Sequence, residues 1–134
     1  MTTLTAGIRT HTVLIADDNP NVRLLVSATI ACDQYTLLTA ADGDAAWHLV
    51  LQHRPAVAVL DVRMDGLSGL QVTRAIKSTP ELAGTRVVLL TSRAQATDIS
   101  AGLAAGADYY LTKPFSPRDL LTILEQALTE RCGV

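Results

Sequence analysis

Residues 11–20 read HTVLIADDNP. The run from Thr12 to Ala16 is apolar enough for a buried strand. Asn19 followed by Pro20 is a helix-start signal: the amide side chain caps, and the proline ring is preset for a first helical turn. One strand and one helix thus meet within three residues. Between them stand two adjacent carboxylates, Asp17 and Asp18, where neutral turn residues would serve the backbone as well.

The same unit recurs outward along the chain. The apolar runs TVLIA (12–16), YTLLTA (35–40), AVAVLD (56–61), RVVLLT (86–91) and ADYYLT (107–112) are five strand candidates. The middle runs hardly alternate, as expected of strands covered on both faces in a parallel sheet. Helical patterns separate them. After Pro20, Val22, Leu25, Val26 and Thr29 fall at helical spacing. A second helix follows Asp42 and Gly43, with Ala46, Leu49 and Val50 inward. A third opens at Ser68, where Ser68 and Gln71 form a capping box and Val72, Ala75 and Ile76 face the core. Residues 95–105 form an Ala- and Gly-rich fourth helix, the weakest by propensity. The fifth opens at Ser116 and Pro117, and Leu120, Leu124 and Leu128 mark its buried stripe. The expected fold class is α/β, a (βα)5 doubly wound parallel five-stranded sheet.

Length and composition agree with one such domain. The 134 residues are 49% apolar but include only five aromatics, which suits aliphatic layers on a central sheet. Residues 1–10 read as an N-terminal tail, 11–131 as the domain and 132–134 as a C-terminal tail. The last helix leaves too few residues for an effector domain. The net charge is −2, with acids and bases spread along the chain, so no nucleic-acid surface is expected. Cys32 and Cys132 lie far apart without metal-ligand spacing, which argues against a disulfide scaffold or a zinc site and for a cytoplasmic protein. The opening MTTLTAGIRT has no apolar core of a signal peptide, and no run of about 18 apolar residues occurs. Neither secretion nor membrane insertion is expected.

Right-handed crossovers restrict the winding of five parallel strands. In the order 2-1-3-4-5 the topological switch lies between strands one and three, and ligands bind at the carboxyl ends of the strands there. That winding sets Asp17 and Asp18 beside Asp61, the last residue of AVAVLD. Three carboxylates about 5 Å apart repel by roughly 3 kcal/mol per pair at an effective dielectric of 20. A divalent cation with oxygen ligands removes the conflict, and Mg²⁺ with retained waters is the best candidate. RVVLLT ends in the hydroxyl of Thr91, and ADYYLT is followed by Lys113 and Pro114. Metal, carboxylate, hydroxyl and ammonium at one rim make a site for a phosphoryl group, with a carboxylate as nucleophile.

Taken together, HTVLIADDNP, VAVLDVRMDGLSG, VVLLTS and GADYYLTKPF resemble the receiver domain of two-component response regulators, from about Thr12 to about Arg131. The resemblance implies a flavodoxin-like receiver fold and a phosphorylation-dependent switch rather than an enzyme, beyond Mg²⁺-dependent phosphotransfer to itself and slow self-dephosphorylation. It implies that Asp61 accepts the phosphoryl group from a histidine kinase or histidine phosphotransfer protein. Asp18 would ligate Mg²⁺ directly and Asp17 chiefly through water, with the backbone carbonyl of Arg63 completing the protein ligands. Thr91 and Lys113 would grip the phosphoryl oxygens, Tyr110 would be the switching aromatic, and the Lys113–Pro114 bond would be cis. A downstream effector protein or domain would read the face made by the fourth helix, fifth strand and fifth helix.

Some positions depart from the family's habit. Asp65 stands where proline is usual, which implies a looser and more acidic loop. Arg63 and Arg93 resemble variable positions that tune the lifetime of the phosphoryl group. Asp108 and Arg118 look like members of a dimerisation set, but Tyr109 replaces a second acid common there, so a phosphorylation-dependent homodimer stays open.

Three rivals are weighed on residues. A phosphatase of the haloacid dehalogenase kind needs an acid two residues after its nucleophile, and here that residue is Arg63. A flavin-binding domain needs an anion loop after strand one, and DDNP repels anions unless a metal is present. A receiver used only for docking would also carry these motifs. His11, His48 and His53 lack ligand spacing, and Trp47 reads as a packing residue on the second helix.

Overall fold

Periodicity and capping signals both reappear in the computed structural model, which describes residues 11–30, 35–92 and 104–132. Five parallel strands, β1 (His11–Ala16), β2 (Tyr35–Ala40), β3 (Val57–Asp61), β4 (Arg86–Ser92) and β5 (Tyr109–Lys113), form one sheet in the order β2-β1-β3-β4-β5. The four described helices are α1 (Pro20–Ile30), α2 (Gly43–His53), α3 (Gly69–Lys77) and α4 (Pro117–Cys132). Of the expected helix over 95–105, only 104 and 105 lie within the described residues, and both are helical. Arg93 and Cys32 lie outside them.

Each helix begins where its side chains can satisfy the free N–H groups. Asn19 accepts from the Asn21 N–H, Asp42 from Ala45 and Ser116 from Asp119. At α3 the capping box is complete: Ser68 Oγ accepts from Gln71 N–H while Gln71 Oε1 accepts from Ser68 N–H. Such caps contribute about 1 kcal/mol each. A short 3₁₀ turn, Pro80–Leu82, adds a buried Leu82 that the periodicity alone does not reveal.

Two apolar layers close the sheet. Val57 and Val59 of β3 point to the α1 and α4 side, where they meet Val26, Ile30, Leu120, Leu124 and Leu128. Ala58 and Leu60 point to the α2 and α3 side, against Ala46, Val50, Val72 and Ile76. This division explains why the central runs do not alternate in polarity. Two inward assignments fail. Leu25 is 43% exposed, and on α3 Thr73 is wholly buried beside Val72 and Ile76, whereas Ala75 is only half-buried. Thr73 enters the core because its hydroxyl donates to the Gly69 carbonyl four residues back, leaving its methyl for packing.

The loop between β3 and α3 is tied down rather than loose. Gly69 N–H donates to the Val62 carbonyl at 2.9 Å, and Gly43 N–H at the start of α2 donates to the Asp65 carbonyl at 3.0 Å. Gly66 takes a φ of +73°, open to glycine without strain. Backbone bonds thus anchor the loop on both sides of Asp65. The backbone bond to Gly43 needs no proline at that place.

Candidate phosphoryl and metal site

The register of the strands decides which ends meet. Ala16 pairs with both Ala40 and Leu60, so Asp17 follows directly beside Asp61. Asp61 pairs with Leu90, which sets Thr91 one step beyond it, and Ser92 pairs with Lys113. A ligand oxygen from each of Asp17, Asp18 and Asp61 lies within 4.8 Å of the others. Asp17 is fully buried, Asp61 nearly so, and Asp18 exposed. Adjacent residues of a continuing strand face opposite sides, and it is the break at Asn19–Pro20 that lets two neighbours share one site.

Lys113 reaches into this cluster from β5. Its Nζ lies 2.8 Å from Asp17 Oδ2 and 3.4 Å from Asp61 Oδ1. Burial works against its charge, but the hydrogen bond to Asp17 and the charges of Asp61 and Asp17 outweigh this and raise its pKa. The pKa of Asp61 is raised as well, for a different reason. Its burial and the charge of Asp17 raise its pKa from 3.8 to about 6, against the lowering pull of Lys113 and with a smaller push from Asp18. A carboxylate at about 6 is chiefly ionised at neutral pH and is therefore competent as a nucleophile.

Hard anionic oxygens in this number suit a small divalent cation that keeps part of its water. Asp17 holds two of its acceptor positions for the Asn19 N–H and Lys113, which fits a ligand acting partly through water. The three acids thus fit Mg²⁺. Arg63, two residues beyond Asp61, is exposed in the β3–α3 loop.

Thr91 and Tyr110 share the other face of the sheet. Leu89 pairs with Tyr110 and packs in the α2 and α3 layer, so Thr91, two residues on, points to that layer too. Thr91 is buried, and the ring of Tyr110 packs against the same layer, with its hydroxyl buried and without a hydrogen-bond partner among the described residues. That burial raises the phenol pKa. The Lys113–Pro114 peptide bond is cis.

Nearly the whole chain is similar to proteins of one family. The family profile described as response regulator receiver domain matches residues 13–125. This chain belongs to the response regulator receiver domains. A curated relative, the probable transcriptional regulatory protein TcrX of Mycobacterium tuberculosis, is 41% identical over 123 residues, 92% of this chain and 51% of that protein. The chain accordingly spans about half the length of the curated relatives it matches. Among solved structures, a response regulator of Chloroflexus aurantiacus superposes with a TM-score of 0.85 at 27% identity, covering 90% of this chain and 99% of that one. The receiver domain of sensor histidine kinase PA1611 from Pseudomonas aeruginosa, solved with a magnesium ion in its active-site cleft, superposes with a TM-score of 0.81 at 28% identity over 89% of this chain and 98% of that one. The flavodoxin-like winding is thereby shared, and no described helix is long and apolar enough to cross a membrane.

Two residues of this receiver domain do work that sequence reading assigned otherwise or missed. Asp108, which the resemblance sets among positions used for dimerisation, is also engaged within the fold: Lys77 Nζ lies 2.7 Å from one oxygen, Arg86 3.5 Å from the other, and the Val87 N–H donates at 2.8 Å. It fastens the start of β5 to β4 and α3. Arg23, which the pattern of α1 does not single out, donates from its guanidinium to the Asp17 carbonyl at 2.7 Å. Its only trace in the sequence is a cation placed one turn after the acidic pair. Arg118 is exposed at the start of α4.

Proposed function

We propose that Asp61 takes a phosphoryl group from the phosphohistidine of a histidine kinase or histidine phosphotransfer protein in a Mg²⁺-dependent step. The observation that carries this reading is one nearly buried carboxylate held between two further acids and one ammonium. A carboxylate oxygen of Asp61 attacks phosphorus. The P–N bond breaks, its electron pair returns to the imidazole nitrogen, and that nitrogen takes a proton. Lys113 faces the charge that develops on the phosphoryl oxygens, and Asp17 and Asp18 would hold the cation. When bound, Mg²⁺ supplies charge neutralisation to those oxygens.

The new dianionic group gives the hydroxyl of Thr91 a strong acceptor near its strand end. A shift of Thr91 toward it opens space on the face that Tyr110 shares, and the phenol, which gains no hydrogen bond where it now sits, follows. Moving such an equilibrium from 1:99 to 99:1 takes about 5.5 kcal/mol of differential interaction. Several charge-assisted hydrogen bonds are of that size. A downstream effector protein or domain then reads the altered β5 and α4 surface. Within the chain Asp108 pairs with Lys77 and Arg86, and a phosphorylation-dependent homodimer is a further reading of the same surface.

Incubation with phosphoramidate, with and without Mg²⁺, tests the acceptor by intact mass. The expected result is a gain of one phosphoryl group that requires Mg²⁺ and is absent in Asp61→Asn. A gain that persists in Asp61→Asn overturns the assignment.

A further inference from the structure

We propose that Arg23 is a positioning residue for the metal site, acting through the backbone of Asp17. This rests on the reading of Asp17 and Asp18 as Mg²⁺ ligands. Every polar group of Asp17 has one defined partner. Its N–H donates to the Ala40 carbonyl at 3.2 Å, Oδ1 accepts from the Asn19 N–H at 2.9 Å, and Oδ2 accepts from Lys113 at 2.8 Å. Its carbonyl accepts from the Arg23 guanidinium at 2.7 Å. Of these partners Ala40 belongs to β2, Asn19 to the turn and Lys113 to the site. Among the described residues, only the Arg23 side chain ties the Asp17 carbonyl, and with it the peptide plane between Asp17 and Asp18, to helix α1.

That plane decides where Asp18 points. Of the three residues between β1 and α1, Asp17 is buried and tied to β2 through its N–H, whereas Asp18 is exposed. Rotation of the peptide after Asp17 would swing the Asp18 carboxylate away from Asp61 while leaving both neighbouring elements intact. The guanidinium opposes that rotation from the first turn of α1, whose own helical bond, from the Arg23 N–H to the Asn19 carbonyl at 3.1 Å, anchors the far end of the β1–α1 turn. Replacing the side chain leaves that backbone bond in place and removes only the hold on the Asp17 carbonyl. A planar guanidinium fixes direction at a carbonyl in a way that an ammonium does not.

Position and charge make opposite demands on the metal. Arg23 brings a positive charge close to a cation site, so on charge alone its removal would tighten Mg²⁺ binding. If its task is to orient the turn, removal weakens binding instead. Groups that orient metal ligands through hydrogen bonds alter metal affinity by roughly 10–100-fold when removed.

The test is calorimetric titration of Mg²⁺ alone into wild type, Arg23→Lys and Arg23→Met, each checked for folding by circular dichroism. For Arg23→Met the expected result is a Kd weakened about tenfold or more, with Arg23→Lys between it and the wild type. Unchanged or tighter binding by a folded Arg23→Met, while the wild type binds, overturns the proposal and leaves the metal reading intact. If the wild type takes up no Mg²⁺, the metal reading itself falls, and this proposal with it. Should Arg23→Met fail to fold, Arg23→Ala, which likewise removes the donor and favours the helix, is held to the same comparison.

Discussion

Asp61 shows how much of a residue's chemistry lies outside its own identity. An aspartate at the end of AVAVLD reads as a strand-end acid, and its place beside Asp17 follows from strand order. Its raised pKa of about 6 does not, because burial and the charge of Asp17 must be weighed against Lys113, ninety-six residues from Asp17 in sequence. In the metal-free protein the folded state holds this proton more tightly than the unfolded chain does. Stability is then greatest below the ordinary value of 3.8, falls as pH rises toward about 6, and levels off above it. Asp61→Asn, which keeps the shape and removes the charge, is expected to stabilise the metal-free protein at pH 7.5 by about 1–3 kcal/mol and to lose that gain near pH 4. Urea unfolding in a chelator at the two pH values measures this. An equal gain at both would show that the effect is packing and not charge.

Among the elements, the join between α2 and the β3–α3 loop governs the neighbourhood of the acceptor. The glycine at position 43 reads in the sequence as a helix start and nothing more. In the structure it lets two backbones touch: a Cβ built there would fall on the carbonyl oxygen of Leu67, and its N–H donates to Asp65. Gly43→Ala must part these backbones and is expected to cost roughly 2–3 kcal/mol in urea unfolding, although alanine favours a helix. A neutral or stabilising effect would show that the loop can retreat freely. The capping box at Ser68 was legible because its two partners are three residues apart. The Gly43 contact was not, because its partners are more than twenty residues away and backbone atoms leave no pattern.

For the whole molecule, the two apolar layers hold the strand ends in register and so hold three like charges together. Net stability of a domain is only about 5–15 kcal/mol, so relief of that repulsion is a measurable share. Mg²⁺ at a hundredfold above its Kd is expected to add about 2.7 kcal/mol and raise the melting temperature by several degrees. Asp18 is exposed, so Asp18→Asn should melt near the wild type without metal and lose most of the gain with it. A melting curve that Mg²⁺ does not move would remove the cation from the account.

Read alone, the sequence determined the five strands, the described helices that flank them, the parallel winding and the acids and lysine that meet at one rim. These rest on local signals: apolar runs, caps, and acids or a lysine placed where runs end. Tertiary structure decided the rest. The full burial of Asp17, the pairing of Lys113 with it, the common face of Thr91 and Tyr110, the internal use of Asp108 and the hold of Arg23 on the acidic turn all join residues through space. Electrostatic and hydrogen-bond energies depend on distance and burial, and neither is defined until the chain has closed upon itself.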